Sequence, residues 1–275
     1  MKQQTLDRAF SVEGRGLHTG RWIHATFLPA APDFGIRLRR VDLPEKPTYE
    51  ASARYVTATN RGTVLENGVW RVSTVEHALS ALYAMGITNC LIELDGPEMP
   101  ILDGSAAMFV EEIKKAGIKQ ETKEAKTWVV QEPIRFENGK GSIMLITPAE
   151  DYEVEVLVDF PRTIVGRQRA EIKDLMTYAQ EIAPARTFCF FKEILPLLFI
   201  GLIRGGRLNN ALVIGRRKYF SPLRLENEPA RHKLLDVIGD MSLLGCRIQG
   251  HIYVERPGHG FNTTVAKSLI ERIAE

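Results

Sequence analysis

Hydrophobic and polar residues alternate along five segments of the chain, and a period of two is typical of half-buried β-strands. The segments are RWIHATFL (21–28), GIRLRRV (35–41), TWVVQEPIRF (127–136), SIMLIT (142–147) and YEVEVLV (152–158). The residues ENGKG, between the third and the fourth segment, are typical of a hairpin turn. Other segments have the apolar spacing of helices, so the chain is predicted to mix α and β structure.

The same order of predicted helices and strands occurs twice along the chain. In each half, a helix with a histidine ends at a glycine and is followed by a strand, a loop and a second helix. The strands are CLIEL (90–94) and RIQGHIYVE (247–255), and the second helices are AAMFVEEIKKAG (106–117) and TVAKSLIERIAE (264–275). The repeat predicts an α+β fold of two similar domains, each a β-sheet packed with two helices in a duplicated β-α-α-β-type sandwich. The active site is expected at the interdomain cleft.

Length and composition allow two hydrophobic cores. The chain has 275 residues, of which 44% are hydrophobic, and this is enough for one large core or two ordinary ones. The segment IKQETKEAKT (118–127) is charged, lacks aromatic residues and divides the chain almost in half, as a linker does. We therefore expect a first domain over 1–122 and a second over 123–275.

The segment HKLLDVIGD (232–240) is the clearest candidate for metal chemistry. On a helix, His232 and Asp236 share one face, and Asp240 follows one turn later. The surrounding residues are apolar, so the helix is predicted to be buried, where unpaired carboxylates are costly. A cation on His232 and Asp236, with a basic partner for Asp240, would remove this cost. Exposure to solvent or buried hydrogen bonds are the alternatives that the pair alone leaves open.

A second candidate lies in STVEHALSALYAMG (73–86). Ser73 and Glu76 fit a capping box, which would give Glu76 a structural role. No structural role of this kind is evident for His77. The helix face that carries His77 also carries small residues, which would let another helix or strand approach closely. His77, His232 and Asp236 make a three-ligand set of the kind that zinc takes in hydrolases, with iron(II) as a close competitor. Glu76 could then supply a base.

Other features argue against several classes of protein. There is no HExxH sequence, and the three cysteines are isolated, which disfavours a metzincin-like helix and structural zinc. Unpaired cysteines and a start without an apolar h-region favour a cytoplasmic protein. The net charge of +2 is too small to predict binding of nucleic acid.

The longest apolar run, ILPLLFIGLI (194–203), is about half the length of a membrane span and contains Pro196. It is either a core segment or a channel or lid for an acyl chain. Basic residues follow it at Arg204, Arg207, Arg216, Arg217 and Lys218. An apolar surface beside basic residues suits an amphiphile with an anionic head, and transient contact with a membrane surface is a further expectation.

Six ordered motifs carry a resemblance to a known family. They are GRGLHTG (14–20), STVEHALSAL (73–82), EMPILDGSA (98–106), ARTFCF (185–190), LRLENEPARHKLLDVIGD (223–240) and PGHGFN (257–262). Through them, and nearly from end to end, the chain resembles UDP-3-O-acyl-N-acetylglucosamine deacetylase, the zinc amidohydrolase of lipid A biosynthesis. The resemblance implies hydrolysis of the acetamide of UDP-3-O-(3-hydroxyacyl)-N-acetylglucosamine to the free amine and acetate.

The resemblance also implies roles for individual residues. His77, His232 and Asp236 would hold zinc, in agreement with the spacing. Glu76 would be the general base and His259 the general acid.

Three further residues would assist the reaction. By the same resemblance, Asp240 would keep His259 cationic, Thr187 would stabilise the oxyanion together with the metal, and Lys233 would add positive charge near it.

The substrate of the resembled family gives the remaining residues a use. Leu198 and Ile200 belong to the segment that would line the acyl passage. Phe188 and Phe190 would pack against the nucleotide or the acyl chain, although a core position is the equal alternative. Arg256 could meet a phosphate. A monomer is expected.

Two positions depart from the family pattern. Arg207 stands where serine is more frequent, and GHGFN (258–262) replaces GHSLN.

Other classes also stay open. A zinc hydrolase of another acetamido sugar or of a nucleotide would use the same catalytic set. An inactive binding protein would be expected to lose Glu76 or His259. A nucleic-acid-binding module would leave Asp236 and Asp240 without a role.

Overall fold

The computed structural model describes residues 1–274. Its strands are β1 (Lys2–Leu6), β2 (Phe10–Arg15), β3 (Trp22–Pro29), β4 (Ile36–Arg40), β5 (Thr48–Glu50), β6 (Val56–Ala58), β7 (Val64–Asn67), β8 (Trp70–Ser73), β9 (Cys90–Leu94), β10 (Ile118–Glu124), β11 (Thr127–Val129), β12 (Ile134–Glu137), β13 (Ile143–Thr147), β14 (Tyr152–Phe160), β15 (Gly166–Ile172), β16 (Phe188–Phe190), β17 (Leu212–Ile214) and β18 (Arg247–Glu255). Its α-helices are α1 (Glu76–Ala84), α2 (Ala107–Ala116), α3 (Tyr178–Glu181), α4 (Phe191–Phe199), α5 (Glu228–Ser242) and α6 (His259–Ala274).

The two halves of the chain repeat one sheet topology. The first sheet has the order β2-β3-β9-β4-β5, and the second has the order β12-β13-β18-β14-β15. In each, the central strand pairs antiparallel with one neighbour and parallel with the other. Each half then places a helix before its central strand and another after it. The predicted α+β duplication is therefore confirmed.

Helices of the two halves meet in the middle of the molecule. α1 packs on α5, α2 contacts β2, and α5 contacts β14 and β15, so the helices lie between the two sheets. The buried apolar side chains of both halves form one continuous cluster. A β-carbon added at Gly239 would lie 2.2 Å from the backbone oxygen of Glu76. Only glycine lets α5 come this close to α1.

Most of the segment 118–127, which the sequence suggested as a linker between domains, is a regular strand in the structure. Residues 118–124 form β10, which pairs antiparallel with β1. Most side chains of β10 are exposed, so its charged composition reflects a solvent-facing strand rather than an unstructured backbone. The division into domains at 122/123 falls within β10 and stays a prediction.

Two predicted elements have different bounds in the structure. The segment 127–136 contains two strands, β11 and β12, separated by residues 130–133. Pro133 lies in this gap and has no backbone N–H for a sheet. The last helix begins at His259, not at residue 264 as predicted.

Each half also carries an insertion. In the first half, the sheet β6-β7-β8 precedes α1, and in the second half, β16, α4 and β17 precede α5. Within 194–203, Leu197 is the only large apolar side chain that is buried, so the alternative of a core segment is wrong. Among residues 1–274, no helix is long and apolar enough to cross a membrane.

Candidate active site

A possible metal site forms where α1 meets α5. His77 comes from α1, and His232 and Asp236 come from successive turns of α5, with one ligand atom of each within 4.8 Å of the others. The two imidazole rings are nearly perpendicular, at 86°. Asp236 Oδ1 lies 3.4 Å from His232 Nε2 and 4.0 Å from His77 Nε2. The close approach at Gly239 brings these residues from distant parts of the chain together.

The chemistry of this cluster fits a bound cation. All three side chains are buried, yet His77 Nδ1 and Asp236 Oδ1 have no hydrogen-bond partner within residues 1–274. Buried polar atoms without a partner are rare because they lose their hydration. A metal ion held by His77, His232 and Asp236 would satisfy Asp236 Oδ1, and two nitrogen ligands with one carboxylate suit zinc or iron(II).

Neighbouring groups hold these side chains in the state that a metal requires. Burial lowers the pKa of His77 to about 3 and also lowers the pKa of His232, so both rings are neutral. His232 Nδ1 donates to the carbonyl of Ala185 at 3.1 Å, which leaves Nε2 for the metal. Lys233 Nζ donates to Asp236 Oδ2 at 2.7 Å and supports the carboxylate.

Glu76 is the first residue of α1 and is almost fully buried beside this cluster. Burial raises the pKa of its carboxyl to about 7. Glu76 Oε2 accepts a hydrogen bond from the backbone N–H of Thr63 at 3.0 Å. The other oxygen lies 4.0 Å from His259 Nε2.

The capping box predicted for Ser73 and Glu76 is wrong. Ser73 ends β8, and its hydroxyl donates to the carbonyl of Pro97 at 3.2 Å. Thr74 then adopts a left-handed conformation with φ +58°, which separates the strand from the helix. α1 begins only at Glu76, without a side-chain cap. The Glu76 carboxylate instead accepts from the backbone N–H of Thr63.

His259 lies at the start of α6 and is held by Asp240. Its Nδ1 lies 3.0 Å from Asp240 Oδ2, and its Nε2 lies 3.6 Å from Asp236 Oδ2. Burial disfavours the charged ring, but Asp240 and Asp236 outweigh it and raise the pKa of His259 to about 9. The ring is therefore an imidazolium near neutral pH. The basic partner expected for Asp240 is His259.

Asp240 is fully buried and has two further donors that the sequence did not indicate as functional. Thr63 Oγ1 donates to Asp240 Oδ1 at 2.5 Å, and Asn262 Nδ2 donates to Oδ2 at 2.9 Å. Asn262 belongs to the PGHGFN motif and could have been selected from it. Thr63 gives no comparable signal, because it lies 177 positions from Asp240 in the chain.

Two buried carboxylates fix the segments around the site, and the sequence reasoning missed both. Glu228, at the start of α5, accepts from Arg186 Nε at 2.8 Å and from Nη2 at 3.0 Å. This pair anchors the segment with Thr187 to the helix that carries His232. Glu98 accepts from the backbone N–H groups of His18 and Thr19, and so orders the loop at the opposite wall.

A cavity of about 790 Å³ opens onto these residues. Of the residues predicted to act in the site, it is lined by Glu76, His77, Thr187, Phe188, Phe190, Leu198, His232, Lys233 and His259. Asp236 and Asp240 lie buried beside it. Most of the apolar residues of the wall belong to the insertion that contains β16, α4 and β17. Such a concave, mostly apolar site with a few polar groups is typical of ligand-binding cavities.

The aromatic residues after Thr187 form part of this wall. Phe188 and Phe190 pack with Phe160, with ring centroids 5.7 and 5.3 Å from that ring. They are half-buried and line the cavity, so they are available to a ligand.

Two residues predicted to contact substrate lie outside this lining. Ile200 is largely exposed, beyond the end of α4. Arg256 Nη2 pairs with Asp159 Oδ2 at 2.7 Å. By contrast, Arg207 and Gly260, which depart from the family pattern, both line the cavity.

Comparisons with known proteins identify the family. A protein-family model described as "LpxC: UDP-3-O-acyl N-acetylglycosamine deacetylase" matches residues 3–271. The bifunctional enzyme LpxC/FabZ of Bacteroides thetaiotaomicron is 42% identical, and the match covers 99% of this chain and 65% of that protein. The chain thus spans just under two thirds of this relative. The UDP-3-O-acyl-N-acetylglucosamine deacetylases of Syntrophotalea carbinolica and Geobacter sp. (strain M21) are 38% and 39% identical, over 98% of this chain and over 87% and 89% of their own lengths. The chain belongs to the UDP-3-O-acyl-N-acetylglucosamine deacetylase family.

Proposed function

We propose that this chain hydrolyses the acetamide of UDP-3-O-(3-hydroxyacyl)-N-acetylglucosamine to the free amine and acetate, an early step of lipid A biosynthesis. One observation carries the proposal. A carboxylate, Glu76, and an imidazolium, His259, face each other at 4.0 Å beside the cluster of His77, His232 and Asp236. Hydrolysis of an amide needs a base for water, an acid for the leaving nitrogen and a stabilised oxyanion.

His77, His232 and Asp236 would hold a zinc ion, or iron(II) as the alternative. When bound, the metal would polarise the amide carbonyl and lower the pKa of a water molecule towards neutrality. The buried, unpartnered atom Asp236 Oδ1, which lies 3.4 Å from His232 Nε2 and 4.0 Å from His77 Nε2, supports this assignment. The hydrogen bond from Lys233 to Asp236 supports the orientation of the carboxylate.

Glu76 and His259 would divide the proton transfers. Glu76 Oε1 faces the cavity side of His259, and Glu76 would take the proton of the attacking water. His259, whose pKa is raised to about 9, is protonated near neutral pH and would donate a proton to the nitrogen as the C–N bond breaks. Asp240 would orient the imidazolium through Nδ1.

Thr187 and Lys233 would assist at the carbonyl. Both line the cavity next to the ligand cluster. The Thr187 hydroxyl would donate a hydrogen bond to the developing oxyanion, and the Lys233 ammonium would add positive charge near it.

The cavity wall supports an acylated UDP-sugar as the substrate. Phe188, Phe190 and Leu198 are part of its apolar lining, where they would contact the acyl chain or the nucleotide. Arg207 lines the same cavity and would face an anionic group. We propose that the chain acts as a cytoplasmic monomer of two domains, 1–122 and 123–275, without nucleic acid as a partner.

Mass spectrometry of the reaction products tests this function. Purified, zinc-loaded protein is incubated with the acylated UDP-N-acetylglucosamine and, in parallel, with UDP-N-acetylglucosamine that lacks the acyl chain. We expect the free amine from the first substrate, and little or none from the second. Equal rates on both substrates would contradict the role of the apolar wall. No amine from a folded, metal-loaded protein would overturn the proposed reaction.

A further inference from the structure

The outer face of α4 exposes large apolar side chains to solvent. Phe199 is 97% exposed and Leu195 is 77% exposed. Three further apolar residues of this region are also exposed, namely Phe191, Ile200 and Phe220. A contiguous apolar surface of this kind is typical of a binding interface rather than of a free surface.

This face is distinct from the cavity wall. Ile194, Leu197 and Leu198 line the cavity and lie three and four positions apart on one side of the helix. Leu195 and Phe199 lie on the other side and are absent from the lining. The helix is therefore apolar on two faces, and the cavity accounts for only one of them.

The same insertion concentrates positive charge. Residues 191–224 contain seven Lys or Arg residues and one acidic residue, Glu193, although the whole chain has a net charge of only +2. Glu193 is paired with Arg61 at 2.8 Å, and Arg224 is paired with Asp103 at 2.6 Å. Six cations of the insertion remain, and none of them has a carboxylate within 4.0 Å in the described part of the chain. These cations are Lys192, Arg204, Arg207, Arg216, Arg217 and Lys218.

Some of these cations border the apolar face directly. The rings of Phe191 and Phe220 stack with centroids 5.2 Å apart, and Lys218 Nζ lies 5.2 Å from the centroid of Phe220. Beyond the other end of α4, the guanidinium of Arg204 lies beside Gly201, and Arg204 also lines the cavity. An exposed apolar strip with cations at its edges fits the boundary between phospholipid head groups and acyl chains.

We propose that the outer face of α4, with its bordering cations, docks on an anionic phospholipid surface. Leu195 and Phe199 enter the head-group and acyl boundary, and Lys218, Arg216 and Arg217 face the lipid phosphates. A nine-residue helix lies in this boundary and does not cross it. A second copy of the chain fits less well, because it would bring two strongly basic surfaces together.

The role of this surface in supplying substrate rests on the proposed function. The binding of lipid by the surface does not depend on that function. The inner face of α4 lines the cavity. Docking through the outer face would therefore hold the cavity beside the bilayer, where an acylated substrate and its acylated product partition.

Vesicle flotation with the full chain tests the proposal without any measurement of activity. Neutral vesicles contain phosphatidylcholine alone, and anionic vesicles also contain about one third phosphatidylglycerol. We expect binding to anionic vesicles only, weakened by salt. The variant L195S/F199S should bind at least about tenfold more weakly, and R216E/R217E should lose a similar or larger factor. Both pairs of side chains are exposed, so the fold should be retained.

Met176→Ser is the matched control, because Met176 is apolar and 85% exposed but lies outside the insertion. Its vesicle binding should equal that of the original chain. Absence of binding to anionic vesicles would overturn the proposal, as would undiminished binding of L195S/F199S. Concentration-dependent self-association that the same variant abolishes, without vesicle binding, would assign the face to a second copy instead. Deacetylase activity in aqueous buffer is measured separately, so failure of the proposed function is distinguishable.

Discussion

At the scale of single residues, the site depends on carboxylates in different environments. Asp236 is surrounded by His232 and Lys233, and these groups outweigh its burial and lower its pKa. Glu76 accepts a hydrogen bond from the backbone N–H of Thr63, and burial raises the pKa of its carboxyl to about 7. Asp236 is thus kept ionised, as the proposed metal ligand must be, whereas the raised pKa of Glu76 suits the proposed exchange of a proton.

Glu76→Gln should separate catalysis from stability. The amide preserves the size of the side chain and can still accept from Thr63 N–H, but it cannot take a proton from water. We expect turnover to fall by about two to four orders of magnitude, while the melting temperature is unchanged or higher because a buried charge is removed. A variant with nearly normal turnover would show that Glu76 is not the base.

Thr63→Val should weaken the support of His259. The substitution removes the hydroxyl that donates to Asp240 but keeps the shape of the side chain. We expect kcat to fall by about 10- to 100-fold, because the imidazolium loses its fixed orientation, with little change in KM. Thr63→Ser restores the hydroxyl and should recover most of kcat. Equal losses in both variants would indicate that only packing at this position matters.

The ligand residues could be predicted from the sequence, but their support could not. The spacing of His232 and Asp236 on a helix is a local signal, and His77 adjoins Glu76 in the chain. Thr63 and Glu228 contribute through contacts with residues far away in sequence, for which no local pattern exists. The capping box of Ser73 and Glu76 failed for a related reason, since the conformation of Thr74 is set by tertiary contacts.

At the scale of elements, the contact between α1 and α5 determines the site. Alternating strands and apolar helices were predictable because each pattern is local. The exposed strand β10 was not, because its side chains are charged on both faces and carry no alternation. The start of α6 at His259 was also missed, since Gly258 and Gly260 are typical of a loop.

Gly239→Ala tests this helix contact. In an ordinary helix interior, the change would stabilise the protein by up to about 1 kcal/mol. Here the added carbon would lie 2.2 Å from the backbone oxygen of Glu76, so we expect destabilisation by about 1–3 kcal/mol and weaker metal binding. Gly258→Ala is the control, because its added carbon would meet no atom within 4 Å. Chemical denaturation and metal titration measure both effects, and a stabilised, metal-replete Gly239→Ala would contradict the close contact.

At the scale of the whole molecule, the duplicated halves bring His77 from the first half next to His232 and Asp236 from the second. The internal repeat was visible in the sequence because the order of helix, strand and helix recurs around His77 and His232. The single continuous core was not visible, because it depends on how the two layers of helices face each other.

Metal binding across the two halves should stabilise the entire fold. Since His77 lies in α1 and Asp236 in α5, a zinc ion bound at the proposed site would link both halves, and saturation at about 100 times Kd corresponds to roughly 2.7 kcal/mol. We expect a zinc-dependent rise in melting temperature that His77→Ala abolishes. His24→Ala, at an exposed histidine far from the cluster, should keep the rise. A rise that survives in His77→Ala would indicate a different zinc site.

Acetate release before and after removal of metal tests the central claim most directly. The purified chain is assayed with UDP-3-O-(3-hydroxyacyl)-N-acetylglucosamine as isolated, after treatment with a chelator, and after zinc or iron(II) is returned. We predict that acetate release is lost with the metal and restored by one equivalent of it, and that His232→Ala shows no restoration. Full acetate release from the metal-free protein would contradict the account.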